Sequence, residues 1–443
     1  MRFVSTFVYH RAVVLASSGA AMMVAIGDLH ALPQGGSVVR GDAAFTREGN
    51  VLTIQQGSPQ AILEYQGFNI GAGETVRFVQ PGPGASALNR VTGGQASTIA
   101  GALQANGNIF LVNPAGVLFT PTAQVNVHGL VASAMNISDE DYLAGRLSFS
   151  GGGGSVVNQG AINAAFAYLV GSRVENTGVI EAGAIALAAG ENSVVIDEVG
   201  GGQIRLVIDG LEQGPEAVAA PEAGYVPATT EAGEVVELPA VEVAAAPQSV
   251  PAPRETTSAL AIQIRQDPAT RGLVFNQGTL NASGLASGRV DIAGRFAVQD
   301  GVIDVTGASG GGTINITAND LVLVTDGSRT TANAGAHGDG GSITIFSPGT
   351  AILESGAAVA ARGGALSGNG GQAEVSGQAQ VVVRGLVDLT ADRGDAGTLL
   401  IDPLNVRIRA IVTPGTGGSF LGGTWTPNST PSDISIVDLL AQL

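Results

Sequence analysis

Short segments in which apolar and polar residues alternate recur along most of this chain. Residues 313–317 (TINIT) and 342–345 (SITI) show the pattern, with isoleucine at every second position. Successive side chains of a strand point to opposite faces, so the alternation predicts strands with one buried face. Residues 108–112 (NIFLV) are more densely apolar and predict a buried strand. No apolar pattern of helical period accompanies these segments, and we therefore predict an all-β fold.

A short unit with Asn and Gly at fixed places occurs three times. Its copies lie at residues 157–164, 174–182 and 274–282, and each runs apolar, Asn, any, Gly, any, apolar, any, Ala. We interpret the unit as a strand, a sharp turn and a second strand. Asn and Gly both tolerate the positive φ that such a corner needs, so we place the turn on them.

A longer unit fills the C-terminal part of the chain. Turn glycines follow one another at intervals of 26, 29 and 29 residues, at Gly301, Gly327, Gly356 and Gly385. A second glycine precedes a strand in each unit, at Gly312, Gly341, Gly371 and Gly397. Short strands at a fixed long spacing indicate a solenoid, and we predict a right-handed parallel β-helix with one coil per unit. A β-sandwich is the alternative all-β fold and fits this spacing poorly.

The composition agrees with stacked short strands and excludes several functions. Gly accounts for 66 of the 443 residues, every one of the 20 basic residues is Arg, and the formal net charge is −17. A chain this acidic offers no basic surface for nucleic acid or for a polybasic membrane anchor. Because there is no cysteine, disulfides, thiolate metal sites and cysteine nucleophiles are also excluded.

Residues 1–31 have the layout of a signal peptide. Arg2, His10 and Arg11 form a basic start, and an uncharged apolar run then extends to Ile26. That run has about fifteen residues, which is short for a bilayer span. We predict cleavage after Ala31 and export from the cytoplasm. An uncleaved anchor is the alternative, and no other stretch predicts a membrane span.

Composition and repeats divide the rest of the chain. We predict an N-terminal block at 32–150, β-helix coils at 151–211 and 258–409, and a Gly/Pro/Ser-rich segment at 410–443. Residues 212–257 carry eight Glu, many Pro and Ala, and a single Arg. We interpret them as a flexible acidic insertion on the surface, with residues 203–208 and 260–264 as the coil edges on either side.

The 32–150 block contains the most specific motifs. Leu88-Asn89-Arg90-Val91 and residues 99–103 (IAGAL) precede Asn113-Pro114-Ala115-Gly116, which lies between two apolar segments. Pro114 presets φ and Gly116 permits a corner, so a β-turn is predicted there. This ordered set resembles the secretion domain of two-partner secretion exoproteins, the filamentous haemagglutinin family. Ala115 departs from the family, which usually has Asn there, and we expect the turn to survive because Pro and Gly remain.

The resemblance implies an N-terminal secretion domain that caps the β-helix and carries the secretion signal in these two motifs. It also implies a partner, an outer-membrane β-barrel translocator with POTRA domains that exports the unfolded chain. The protein is then expected to be secreted or displayed at the cell surface as a non-enzymatic, adhesin-like rod without a cofactor. A host-cell receptor or a glycan is its expected ligand, and haem acquisition, cytolysis and contact-dependent inhibition are other roles of the family.

Two further interpretations stay open. A β-helix enzyme acting on polysaccharides would stack carboxylates on adjacent coils, and the candidates are Asp300, Asp304, Asp326 and Asp388. We favour solvated turn carboxylates at these positions. The second interpretation is a truncated exoprotein that lacks its effector region. The four His residues have no metal-ligand spacing, so no metal site is predicted.

Overall fold

The computed structural model describes residues 32–198, 204–213, 264, 271–284 and 288–401, together with four short strands beyond residue 405. The predicted signal peptide at 1–31, nearly all of the insertion predicted at 212–257 and most of the segment predicted at 410–443 lie outside the described residues. The described part consists mainly of strands, which confirms the all-β prediction.

The regular elements are short and follow one another closely. Up to residue 213 they are β1 (Ser37–Arg40), β2 (Ala43–Glu48), β3 (Val51–Gln56), β4 (Gln60–Tyr65), β5 (Thr75–Val79), β6 (Ser86–Val91), β7 (Ser97–Ile99), β8 (Ala102–Ala105), β9 (Asn108–Val112), β10 (Val117–Phe119), β11 (Gln124–Asn126), β12 (Gly129–Ser133), β13 (Asn136–Ile137), α1 (Asp139–Leu143), β14 (Leu147–Ser150), β15 (Ser155–Asn158), β16 (Ala161–Gly171), β17 (Arg173–Asn176), β18 (Val179–Ala189), β19 (Ser193–Glu198), β20 (Ile204–Ile208) and β21 (Leu211–Gln213).

The same pattern continues beyond residue 271. The strands there are β22 (Leu273–Asn276), β23 (Thr279–Asn281), β24 (Arg289–Gln299), β25 (Val302–Asp304), β26 (Thr313–Val324), β27 (Arg329–Thr331), β28 (Ser342–Ser347), β29 (Thr350–Leu353), β30 (Ala358–Ala360), β31 (Gln372–Gly377), β32 (Gln380–Val383), β33 (Leu386–Asp388), β34 (Thr398–Leu400), β35 (Val406–Arg409), β36 (Gly418–Leu421), β37 (Thr424–Pro427) and β38 (Ser432–Ser435).

Most strands stack into three parallel columns that form the walls of a β-helix. Stack A comprises β3, β5, β8, β11, the first halves of β16 and β18, β23, β25, β27, β30 and β33. Stack B comprises β4, β6, β9, β12, the second halves of β16 and β18, the first halves of β24 and β26, β28, β31 and β34. Stack C comprises β7, β10, β15, β17, β22, the second halves of β24 and β26, β29 and β32.

The three stacks close around a continuous apolar core. Ile314, Ile343 and Ala373 occupy one inward column in register, and Leu399 continues it. These residues follow the second glycines of the long repeat, so the predicted coil spacing is confirmed. Parallel crossover connections take the right-handed sense, and the fold is a right-handed parallel β-helix. Each fully buried Ile or Leu contributes about 1.5–3 kcal/mol to this core.

The Asn residues of the short repeat have a different role from the predicted one. Asn158, Asn176 and Asn276 are completely buried and form a ladder across successive coils. Asn158 Nδ2 donates to Asn176 Oδ1, and Asn176 Nδ2 donates to Asn276 Oδ1, each over 2.8 Å. Asn276 Nδ2 then donates to Gln299 Oε1 over 2.7 Å. Among the described residues only Asp209 combines a side chain with a positive φ, so the predicted positive-φ corner at Asn is wrong.

The glycines of this repeat are explained by the distance between coils. Gly178 and Gly278 also lack a positive φ. A Cβ atom at Gly178 would lie 2.2 Å from the carbonyl oxygen of Gly160, and one at Gly278 would lie 2.0 Å from that of Gly178. Side chains larger than hydrogen would therefore force consecutive coils apart at this corner.

An antiparallel sheet lies outside the coils. It has the order β13-β14-β19-β20-β21, and it packs with α1 on the outer face of stack B. Phe149 and Ile196 of this sheet join Phe110 and Tyr168 of stack B in a second apolar core. Residues 193–198 and 204–211 therefore depart from the prediction of coils at 151–211, and residues 204–208 are no coil edge. Alternating apolar residues suit a covering strand as well as a coil strand, which is why the pattern did not distinguish them.

Two antiparallel strands close the N-terminal end of the β-helix. β1 pairs with β4, and β2 pairs with β3, so both strands cover the first coil. Antiparallel strands at this end stop the parallel stacking of coils and shield the first layer of the core.

Candidate secretion-signal site

The first predicted motif is strand β6 of stack B. Leu88 points outward into the second core and Val91 points inward, and both are buried. Asn89 lies on the inner side between Leu63 and Leu111 of the neighbouring coils. Its Nδ2 donates to the carbonyl oxygens of Ala87 and Phe110, at 3.1 and 3.2 Å. This buried amide replaces an aliphatic side chain in the core and links β6 to β9 of the next coil.

Arg90 connects the motif to helix α1. Its Nη2 donates to Asp139 Oδ1 over 2.7 Å and to the carbonyl oxygen of Ile137 over 3.0 Å. Its Nη1 lies 3.7 Å from Glu64 Oε1. The side chain is 18% exposed, so the Asp139 pair is partly shielded from solvent. Arg90 thus holds the start of α1 against stack B.

The second motif forms the turn that the sequence predicted. The amide of Gly116 donates to the carbonyl oxygen of Asn113 over 2.8 Å, which closes a four-residue turn. Asn113 Oδ1 also accepts from the amide of Ala115 over 3.0 Å, as an Asx turn does. Gly116 has φ +116°, a conformation that side chains rarely adopt. Ala115 is exposed, so the absence of Asn at that position leaves the turn intact.

The turn is also anchored to the preceding coil. Asn113 is buried, and its Nδ2 donates to the carbonyl oxygen of Gln95 over 2.8 Å and to Ser97 Oγ over 3.0 Å. The Asn113 side chain therefore connects the turn between β9 and β10 to the loop that precedes β7.

The structure brings the two motifs together on neighbouring coils. Strands β6 and β9 are adjacent, and Arg90 stands opposite Val112, next to Asn113. Most of the motif is hidden in the folded protein, since Leu88, Asn89, Val91, Asn113 and Gly116 are buried. Arg90, Pro114 and Ala115 are the motif residues with accessible surface.

Helix α1 was missed by the sequence analysis, although a capping signal marks it. Ser138 is its N-cap, and Ser138 Oγ accepts from the amide of Asp141 over 3.0 Å. A Ser followed three residues later by an acidic residue is typical of a helix start. The hydrogen bond from Ser138, followed by the contact with Arg146, holds the pKa of Asp141 below its usual value. Burial raises the pKa of Tyr142, the inward-facing residue of α1, to about 12.

Asp304 and Asp388, two of the four carboxylates considered for catalysis, are not neighbours. Asp304 and Asp388 share a column of stack A but are separated by Thr331 and Ala360. Asp304 Oδ1 accepts from the amide of Thr306, and Asp388 Oδ1 from that of Thr390. Asp300 accepts from Gln277 and Thr325 instead. In the described ranges no group of three or more His, Asp or Glu side chains is arranged to hold a metal ion.

Comparison with known families agrees with the fold. The family model of the TPS secretion domain, where TPS denotes two-partner secretion, matches residues 29–345. The chain belongs to this family. The TPS match extends far beyond the predicted block at 32–150 and into the C-terminal coils. TPS exoproteins are exported by the two-partner pathway and are secreted or exposed at the cell surface, which confirms the predicted export and location.

Curated relatives of this TPS protein include two heme/hemopexin-binding proteins of Haemophilus influenzae. The one from strain ATCC 51907 / DSM 11121 / KW20 / Rd is 39% identical over 182 residues, which cover 36% of this chain and 19% of the relative. The other is 46% identical over 86 residues, which cover 19% of this chain and 9% of the relative. The chain thus spans less than a fifth of the length of the curated relatives it matches.

A solved structure shows the same fold. The HMW1 secretion domain from Haemophilus influenzae superposes with a TM-score of 0.57 at 22% identity, covering 84% of this chain and all of that domain. In the part of the chain that the structure describes, no helix has the length and apolarity to cross a membrane.

Proposed function

We propose that Leu88–Val91 of β6 and the turn at residues 113–116 form the signal by which an outer-membrane β-barrel translocator with POTRA domains accepts this chain. The observation that carries the proposal is the burial of most motif side chains in the folded protein. A partner that reads these side chains must meet them before the coils close. Recognition then precedes folding, and completion of the β-helix outside the cell withdraws the signal from the translocator.

The absence of cysteine agrees with export of an unfolded chain. A disulfide formed on the way would cross-link segments that must pass the outer membrane one after another. The parallel β-helix also has few local contacts to form early, because each strand pairs with a strand one coil away. Both features favour a chain that stays unfolded until it has been translocated.

Substitution within the turn tests this proposal. Gly116→Val places a β-branched residue at φ +116° with its Cβ about 3.0 Å from the carbonyl oxygen of Ser155. Asn113→Ala removes the side chain that bonds Gln95, Ser97 and Ala115. With the translocator coexpressed, we expect the amount of each variant in the supernatant to fall at least about tenfold, with degradation in the periplasm.

The matched control is a turn glycine far from the signal. Gly356 has φ +88° and lies in the C-terminal coils, so Gly356→Val introduces comparable backbone strain. We expect this variant to be exported at close to the parental level. If Gly116→Val and Asn113→Ala are exported like the parent, the turn is a structural corner and has no role in recognition. If Gly356→Val is blocked as well, the defect is one of folding.

We further propose that the exported rod acts by binding to a host surface and not by catalysis. The separation of Asp300, Asp304 and Asp388 supports this, because each carboxylate is engaged in a local hydrogen bond. A test is the adhesion of cells that display the chain, compared with cells that lack the translocator. Adhesion that is equal in both strains would contradict the proposal.

Binding of haem or hemopexin is a second candidate, favoured by the names of the two curated relatives. Capture of purified hemopexin by the immobilised chain, with an unrelated β-helix protein as control, tests it. No capture above the control would remove this candidate.

A further inference from the structure

A cavity lies between α1, the antiparallel sheet and the outer face of stack B. Its volume is about 670 Å³, which is within the range of small-molecule sites. Asn108, Gly129 and Phe166 stand side by side on consecutive coils of its floor. Phe110 and Tyr168 line the cavity from the next column. Neither secretion motif contributes a side chain to it.

The floor exposes an aromatic surface. Phe166 is half-buried and lies over the position of Gly129, where a Cβ atom would come within 2.3 Å of its ring. Phe166 and Tyr168 have ring centroids 5.0 Å apart at a tilt of 36°. The missing side chain at Gly129 thus lets the Phe166 ring lie flat along the sheet. Such a flat apolar face suits a ligand that is itself flat and apolar on one side.

Polar groups surround this surface. Asn108 Nδ2 donates to the carbonyl oxygen of Pro83 over 3.2 Å, whereas its Oδ1 is buried and accepts no hydrogen bond. Because this oxygen has almost no accessible surface, the polar groups that a ligand can reach lie at the rim of the cavity. At the rim, Arg205 Nη2 bonds Asp197 Oδ2 over 2.9 Å, and both side chains are nearly half-exposed.

Both arginines of the rim are neutralised by carboxylates. Arg205 is paired with Asp197, and Arg146 is paired with Asp141 at 2.8 Å and with Glu140 at 3.2 Å. The whole chain carries a net charge of −17. A phosphate, a dicarboxylate or another strongly anionic ligand therefore gains little here. The cavity favours a neutral ligand that has many hydroxyl groups and one apolar face.

We propose that this cavity binds a neutral pyranoside, the terminal sugar of a glycan. The apolar face of the ring stacks on Phe166, and its hydroxyl groups donate to Asp197 and accept from Arg205. This proposal rests on the surface-binding role above and supplies its ligand class. It gives the N-terminal coils a binding function in addition to export.

Titration of the refolded full chain with lactose and with N,N′-diacetylchitobiose tests the proposal. Binding is followed by saturation-transfer NMR and by calorimetry at millimolar sugar concentrations. We expect at least one disaccharide to bind, with transfer strongest at the ring protons of its apolar face. Phe166→Ala is expected to raise the dissociation constant at least about tenfold. Asp197→Asn, at the exposed rim, is expected to raise it severalfold.

Phe346→Ala is the matched control, because Phe346 is a half-buried phenylalanine on the outer face of stack B away from the cavity. This variant is expected to bind like the parent. The proposal is overturned if neither disaccharide binds, or if binding is unchanged in both cavity variants. If the parent binds hemin but neither sugar, and Phe166→Ala loses hemin binding, the ligand of the cavity is a tetrapyrrole and the sugar proposal is wrong. The titration uses refolded protein and does not depend on export. Its result can therefore be interpreted even if the export proposal fails.

Discussion

The N-terminal and C-terminal coils share one inner core but differ on the outer face of stack B. Up to β18 that face is apolar, with Phe110, Val112 and Tyr168 covered by the antiparallel sheet and α1. From β24 onward the same face carries polar residues such as Asp291, Asn315 and Thr344, one above the other on successive coils. The N-terminal coils therefore carry an additional layer on the outer face of stack B, whereas the described C-terminal coils are polar on that face.

The difference between the two regions is visible in their sequences. Residues 109–112 (IFLV) are apolar without interruption because both faces of β9 are buried. Residues 313–317 (TINIT) alternate because the outer face of β26 is polar. A continuous apolar strand within a β-helix thus marks a place where another layer covers the coil.

Removal of one large side chain from the second core should separate the two regions most clearly. Phe149 is fully buried between the antiparallel sheet and stack B. We expect Phe149→Ala to lower the free energy of unfolding of this layer by about 3–5 kcal/mol. Hydrogen exchange should then quicken in β13, β14, β19 and β20 and stay unchanged in β26, β28 and β31.

The control for this experiment is Phe346→Ala in the C-terminal coils. Phe346 is half-buried on the corresponding outer face, and we expect its loss to cost less than about 1.5 kcal/mol. Equal loss of protection in both regions after Phe149→Ala would show that they unfold as a single cooperative unit.

The asparagine ladder should have the next largest effect, because it joins the two regions. Asn176→Ala leaves Asn276 Oδ1 without its donor and removes the acceptor of one Asn158 donor bond. We expect the free energy of unfolding to fall by about 2–4 kcal/mol. Chemical denaturation measures this loss of stability. If the variant unfolds in two transitions and the parent in one, the ladder couples the two regions.

Thr330 provides a matched test of a buried polar group outside any ladder. Its hydroxyl is buried without a hydrogen-bond partner, in a column between Ile303 and Val359. Thr330→Val should therefore leave stability unchanged or raise it by about 1 kcal/mol. A loss as large as that of Asn176→Ala would mean that polarity of the core as such, and not the ladder, determines stability.

The pH dependence of unfolding should reveal the contribution of Tyr142, which lies in the N-terminal layer. Burial raises the pKa of Tyr142 from 10.0 to about 12, so the folded state keeps the phenol neutral where the unfolded state ionises. The corresponding stabilisation is complete below pH 10 and is lost as pH rises through 12, by about 2–3 kcal/mol. In Tyr142→Phe the loss of stability between pH 10 and 12 should become smaller but not vanish, because burial also raises the pKa of Tyr65, which remains in the variant. Denaturation between pH 8 and 12 measures the difference. A parallel profile in parent and variant would contradict the assignment.

The register of the coils could be predicted from the sequence, whereas the layer outside the coils could not. Thr313, Ser342, Gln372 and Thr398 align because each follows a glycine at a repeat distance. By contrast, the strand at 204–208 alternates as a coil strand does, and its partners are set by the apolar outer face of distant strands. Local alternation reports how many faces of a strand are buried, and it does not identify what covers them.

The site was predictable to a similar degree. The turn at Asn113 followed from Pro114 and Gly116, since backbone conformation depends on these residues alone. The pairing of Arg90 with Asp139 depends on a helix at residue 139 that the repeat pattern conceals. The Ser138 capping signal was the available indication.

The pairing of Asn176 with Asn276 joins positions that lie 100 residues apart in the chain yet one coil apart in space. The coils on either side of that junction fit each other as closely as any other pair. Closing a longer loop costs only about 0.6 kcal/mol for each doubling of its length. Because β17 and β22 pair directly, the length of chain between β21 and β22 can change without altering the register of these coils, and this part of the chain is suited to the insertion of further sequence.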